Sequence, residues 1–233
     1  MWDARDPHRL GRFWAAALGA EQITDEPDGV EARLRLTDDF FLDLCFQRVA
    51  SPSASPARLF PGLSGGGRQQ EVVRRLLDLG AEHVGGAATR VVLADPEGNA
   101  FHVVDDREVP GGTGPLAALS LDSADPDRDA AFWAGITGWT RGTSAATLRH
   151  PSGVGPLLEL RQQRGPKRGK NRVHLDVRRG SGDVDVVERV LAGGATPLTA
   201  PSDHPWLVFA DPSGNEFCVL APQPGDGAAA PER

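Results

Sequence analysis

The feature that most constrains this chain is that it states nearly the same sequence twice. Ala4–Glu21 (ARDPHRLGRFWAAALGAE) lines up with Ser123–Thr140 (SADPDRDAAFWAGITGWT) through a shared Asp-Pro, a shared Phe-Trp and a closing glycine. Ala57–Ala81 aligns without gaps to Asn171–Ala195, and VVLADPEGNAFHVV (Val91–Val104) matches LVFADPSGNEFCVL (Leu207–Leu220). Three blocks in one order at a nearly constant offset mean a duplicated unit. The length of 233 residues also exceeds the usual single domain of about 100–150 residues. The expected division is residues 1–108, a linker at 109–115 rich in Gly and Pro, a second copy at 116–222, and a tail at 223–233 whose composition predicts disorder.

Each copy reads as two strand–helix–strands units. Asp6-Pro7 and Asp125-Pro126 put an N-cap carboxylate before a proline at the first helical position, where the missing N–H costs nothing. Phe13, Trp14 and Ala17, like Phe132 in the second copy, then follow a helical period until Gly19 or Gly138 stops it. Trp14 and Trp133 recur at matching positions and are expected in the core. Second helices are expected over Gln69–Leu79 and Asp183–Ala192. The other apolar runs are short and strand-like, and Asp95–Asn99 and Asp211–Asn215 have the Pro and Gly-Asn pattern of tight hairpin turns. Pro61-Gly62 stands where the second copy has Leu175-Asp176, and a proline there is expected to disturb the strand.

Composition narrows function mainly by exclusion. A net charge of −7 argues against a general nucleic-acid surface, and no apolar run approaches the roughly 20 residues that span a bilayer. The N-terminus has no apolar signal core, and the two cysteines, Cys45 and Cys218, lack zinc-type spacing; a cytoplasmic location is expected. The preponderance of arginine over lysine, with abundant alanine and glycine, is a compositional habit of high-GC bacteria. Gly65-Gly66-Gly67 has no following Lys-Ser/Thr, and neither a Gly-x-Ser-x-Gly elbow nor a His-Glu-x-x-His helix occurs, which removes nucleotide-binding loops and the common hydrolases. Arg161–Arg172 (RQQRGPKRGKNR) holds six basic residues and no acid. It is either a solvated loop between strands or a cradle for a phosphate or carboxylate.

The Phe-Trp helix, the Val-His-Leu-Asp strand (Val173–Asp176) and the Asp-Pro-x-Gly-Asn-x-Phe hairpin, arranged as β-α-β-β-β four times, resemble the glyoxalase/bleomycin-resistance proteins of the vicinal oxygen chelate superfamily. The resemblance implies an α+β fold of four βαβββ modules, paired into two tandem glyoxalase-like domains whose curved mixed sheets enclose cavities. It also implies a set of ligand positions on first and last strands. In the second copy these map to Ser120, Glu159, His174 and Cys218; in the first, to Met1, Cys45, Phe60 and His102, a set with two apolar members and no expected metal.

The resemblance therefore points to the C-terminal copy as the active one. His174 and Glu159 are the expected catalytic residues. Glu159, His174 and Cys218 are the expected ligands of one divalent metal ion, zinc being favoured if Cys218 ligates. Ser120, His204 and Trp206 are the expected substrate contacts, the last two on a loop beside Asp203. Two functions stay open on the sequence. One is a glyoxalase-like enzyme of small-molecule metabolism, a lyase or isomerase; the other is a non-catalytic protein that binds or sequesters a small molecule, as drug-resistance members do. The implied partner is a small molecule, with no nucleic acid or membrane, and the chain a monomer or homodimer.

Overall fold

The structure is a computed structural model that describes residues 1–105, 111–142, 146–163, 165–180, 182–183, 185–199 and 206–222. Its first module runs β1 (Trp2–Ala4), α1 (Pro7–Leu18), β2 (Glu21–Glu26), β3 (Gly29–Arg35) and β4 (Phe41–Arg48). The second comprises β5 (Leu59–Ser64), α2 (Gln69–Asp78), β6 (Glu82–Ala87), β7 (Arg90–Ala94) and β8 (Ala100–Val104). The third has β9 (Leu116–Ser123), α3 (Pro126–Thr137), β10 (Thr140–Arg141), β11 (Thr147–Arg149) and β12 (Leu157–Gln162). The fourth has β13 (Leu175–Arg178), α4 (Val186–Ala192), β14 (Thr196–Pro197), β15 (Leu207–Ala210) and β16 (Glu216–Leu220). The fold is α+β, four βαβββ modules in mixed sheets. Among the described residues no helix is long and apolar enough to cross a membrane.

Local chemistry explains the helix ends. The Asp6 carboxylate accepts from the Arg9 N–H at 3.0 Å and that of Asp125 from Arg128 at 3.1 Å, so each cap satisfies one of the N–H groups a helix start leaves open. Gly19 and Gly138 close α1 and α3 in the left-handed conformation, at φ 68° and 69°, which glycine adopts without a side-chain clash. α4 begins at Val186, later than the sequence pattern predicts. Asp183 lies ahead of it, both carboxylate oxygens taken by the Arg189 guanidinium at 2.7 Å.

The turns that close the hairpins are built on carboxylates. Asp95 accepts from the backbone N–H groups of Glu97 and Asn99, from the Asn99 amide, and from the Trp14 indole N–H at 3.1 Å. Asp211 does the same for Ser213 and Asn215. The buried faces of α1 and α3 repeat each other: Trp14 meets Phe101, and Trp133 meets Phe217, both at 5.1 Å between ring centroids and 63° between planes. Edge-to-face packing of this kind is the favoured aromatic arrangement.

The sheets join the two copies. Within each module the first strand lies beside the last, giving the orders β1-β4-β3-β2 and β13-β16-β15-β14 in two sheets, while a third, of eight strands, runs β10-β11-β12-β9-β5-β8-β7-β6. β5 and β9 pair antiparallel, Phe60 opposite Ser120, so the second and third modules share one sheet. The first and fourth meet in the same way at their leading strands. Trp2 bridges Val173, the Asp3 N–H donates to the Arg172 carbonyl at 2.8 Å, and the His174 N–H to the Met1 carbonyl at 3.1 Å. Pro61 and Gly62 do not interrupt β5, contrary to the expectation from sequence. The strand runs through both, and its pairing with β9 absorbs the irregularity as a register shift between Gly62 and Leu63.

Candidate functional site

Side chains alternate between the faces of a strand, and here the apolar set goes to the helices. Leu44, Phe46, Leu59, Leu121, Leu158, Leu160, Phe217 and Val219 are buried. Their neighbours Cys45, Phe60, Ser120, Glu159, Arg161 and Cys218 therefore take the opposite face, and the two composite sheets each cradle a cavity there. The first cavity, between the first and fourth modules, has a volume of about 450 Å³ and is lined among others by Met1, Glu31, Cys45, Asp176, Arg178 and Trp206. The second, between the second and third modules, is about 710 Å³ and is lined among others by Arg58, Phe60, His102, Asp122, Arg161 and Arg168.

This arrangement redistributes the expected ligand set. His174 and Cys218 do come together, Cys218 Sγ lying 3.5 Å from His174 Nε2. Glu159 does not join them. It sits on β12 in the eight-stranded sheet, where its carboxylate accepts a hydrogen bond from the Ser120 hydroxyl at 2.7 Å. The expectation of Glu159, His174 and Cys218 at one point is thus corrected. The reason is the strand pairing: leading strands pair first module to fourth and second to third, so positions adjacent in one copy face different cavities. Phe60 and His102 share the second with Arg161, and Trp206 lines the first. His204 and Asp203, and the tail at 223–233, lie outside the described residues.

The third member beside His174 and Cys218 is Asp176. Its Oδ1 is 3.5 Å from His174 Nε2, and one ligand atom from each of the three residues lies within 4.8 Å of the others. β13 and β16 put Asp176 directly opposite Cys218, and His174 precedes Asp176 by two residues on the same face. That period-two spacing, in Val-His-Leu-Asp, is the signal by which the sequence could have revealed Asp176. Burial pushes His174 well below the ordinary imidazole range, with the Met1 amino group and Lys170 adding to it, so the ring is neutral and has a lone pair to give. Burial raises the Asp176 carboxyl and pushes the Cys218 thiol up to about 12, the Asp176 charge contributing. Cys45 is likewise pushed to about 12 by burial, and its thiol reaches the Glu31 carboxylate at 3.6 Å.

Do these residues fit a metal ion? Asp176 Oδ1 is buried without a hydrogen-bond partner, a condition that costs roughly 1–3 kcal/mol. A tetrahedral ion with bonds of about 2.0–2.3 Å sets its ligand atoms about 3.3–3.8 Å apart, and the two 3.5 Å separations at Nε2 match that edge. Imidazole, thiol and carboxylate form a donor set suited to zinc. The residues fit.

A family profile described as a glyoxalase-like domain matches residues 1–104 and again residues 118–220. The chain belongs to the glyoxalase-like domain family. Glyoxalase-like architecture also relates it to solved structures. Glyoxalase I from Zea mays superposes with a TM-score of 0.69 at 17% identity, over 94% of this chain and 90% of that one. A putative dioxygenase from Bacillus subtilis subsp. subtilis str. 168 gives 0.60 at 16% identity, over 97% and 85%. At such identities the likeness is one of fold, and a glyoxalase-like fold hosts more than one chemistry. No match was found among curated proteins.

Proposed function

We propose that the protein is a glyoxalase-like enzyme of small-molecule metabolism, a lyase or isomerase, whose reaction takes place in the cavity between its first and fourth modules. The observation that carries this reading is the convergence of His174, Asp176 and Cys218 on one point, beside a cavity of about 450 Å³, within the size range of small-molecule sites. These three residues would hold one divalent ion, with zinc favoured by the thiol. Such an ion supplies a positive charge that polarises a substrate carbonyl and stabilises an enolate oxygen.

The chain's own groups do the rest. Trp206 gives the cavity an apolar wall against which a small carbonyl compound can be held. Glu31, opposite Cys45 on the neighbouring strand, is placed to take a proton from carbon beside that carbonyl, the usual work of a positioned carboxylate.

Elemental analysis of protein purified without chelator and reconstituted with zinc tests the reading. One zinc per chain is expected, lost in His174→Ala and in Cys218→Ala and kept in Glu159→Gln and Glu31→Gln. No stoichiometric zinc in the parent protein, or loss in Glu159→Gln alone, would overturn it. Non-catalytic small-molecule binding is favoured as a second reading by the other cavity. There, among the described residues, no group of three metal-ligating side chains assembles, and aromatic and basic groups form the lining.

A further inference from the structure

The cavity between the second and third modules carries an excess of positive charge. Arg58, Arg161, Lys167 and Arg168 line it against the carboxylate of Asp122. Lys167 is answered by Glu216 at 2.7 Å, and Arg161 by Asp122 at 2.8 Å. Arg58 is not answered. It is only 6% exposed, and its guanidinium donates to the Asn215 side-chain oxygen at 2.8 Å, the Asp122 carbonyl at 3.0 Å and the Gln163 side-chain oxygen at 2.6 Å, all neutral acceptors. Among the described residues no carboxylate lies within ion-pair distance of Arg58 or of the exposed Arg168. A buried cation without a counter-charge is costly, and an anion in the cavity would relieve it.

The uncharged part of the cavity indicates what shape of anion. His102, 8% exposed, has both ring nitrogens buried with no partner, and Arg161 Nε is in the same condition. The His102 ring lies nearly parallel to Phe60, 17° between planes and 5.7 Å between centroids, and the Arg161 guanidinium stands 4.6 Å from the Phe60 centroid. Phe60 thus stacks with His102 and carries the Arg161 guanidinium over its ring, beside unused hydrogen-bonding nitrogen atoms. The sheet has built this side by side: Phe60 pairs with Ser120, Gly62 with His102, and Arg161 with Asp122, all on one face.

We propose that this cavity binds a small planar carboxylate, its carboxylate group held by Arg161 with Arg58 and Arg168 and its flat body packed beside the stacked Phe60 and His102 rings. A guanidinium matches a carboxylate in plane and spacing, and a flat unsaturated body packs favourably edge-to-face or offset against aromatic rings. Inorganic phosphate would satisfy the charge and leave the Phe60 wall, with Pro56 and Pro166, uncovered. The basic run Arg161–Arg172 supplies three of the four cations, which gives that sequence feature a role as part of a binding site. The inference concerns a cavity separate from the proposed metal group and is independent of it.

Calorimetric titration of the full chain with benzoate, cyclohexanecarboxylate and inorganic phosphate tests it. Benzoate is expected to bind at one site per chain, at least fivefold more tightly than cyclohexanecarboxylate and more tightly than phosphate. Arg161→Gln is expected to weaken benzoate at least tenfold. Arg168→Gln, at an exposed position, is expected to weaken it severalfold and serves if the first variant does not fold. His174→Ala, in the other cavity, is expected to leave benzoate affinity unchanged. Four results would overturn the proposal: no benzoate binding; phosphate bound more tightly than benzoate, which marks an inorganic-anion site; benzoate affinity indifferent to the arginine substitutions; or benzoate affinity lost with His174.

Discussion

His102 shows how a single buried side chain links the site to the stability of the fold. Burial, assisted by the positive charges of Arg90 and Arg161, lowers its pKa from 6.5 to about 4. The folded protein therefore holds it neutral at pH values where an unfolded chain has already taken up a proton. Between about pH 6.5 and pH 4 the unfolded state binds more protons, so stability falls as the pH is lowered through that window. For a shift of this size the full effect is up to about 3 kcal/mol. His102→Gln is expected to lose less stability than the parent between pH 7 and pH 4.5 in urea unfolding; His174, which burial shifts the same way, is common to both proteins and cancels. An equal loss in the two would contradict the burial argument.

Residue identity is also where the sequence was partly legible. His174 and Cys218 were readable as a pair. Asp176 lies in plain alternation, two positions from His174, and the sequence does not separate Glu159 from that group, because a linear sequence does not say which leading strands will pair. His204 lies outside the described residues; Ser120 is placed beside Glu159 by the same pairing.

At the scale of elements, the Asp-Pro-x-Gly-Asn turn does more than reverse the chain. The Asp95 carboxylate holds its own turn together and also reaches Trp14 on α1, at the centre of the aromatic core. Asp95→Ala would leave a buried indole N–H and the Asn99 amide without partners, a loss of roughly 2–4 kcal/mol. The Trp133 indole N–H has no hydrogen-bond partner, so removing the equivalent Asp211 strands no indole. Urea unfolding followed by far-UV circular dichroism is expected to rank Asp95→Ala as more destabilising than Asp211→Ala; equal losses would contradict the role of the Trp14 hydrogen bond. Element types and most boundaries followed from caps, periodicity and turn chemistry. The exceptions are instructive. β5 runs through Pro61, with its register shift one step later at Gly62, and α4 starts at Val186, with Asp183 ahead of it held by Arg189, arrangements that the local pattern does not contain.

The whole molecule is a duplication whose copies are interlocked. Matching aromatic pairs, Trp14 with Phe101 and Trp133 with Phe217, preserve one packing solution in both copies, while the cavity faces have diverged, Phe60 standing where the second copy has His174. Sequence made the repeat plain. It did not disclose that each composite sheet draws one module from each copy, and that is what separates the His174, Asp176 and Cys218 group from the basic cavity around Arg161. The division of labour proposed here, a metal group in one cavity and a carboxylate in the other, follows from that exchange. The measurement that tests it most directly is the electronic spectrum of the cobalt(II)-substituted protein. The account predicts a thiolate-to-cobalt charge-transfer band that persists in Glu159→Gln and disappears in Cys218→Ser; a band that survives Cys218→Ser, or that vanishes with Glu159, would contradict it.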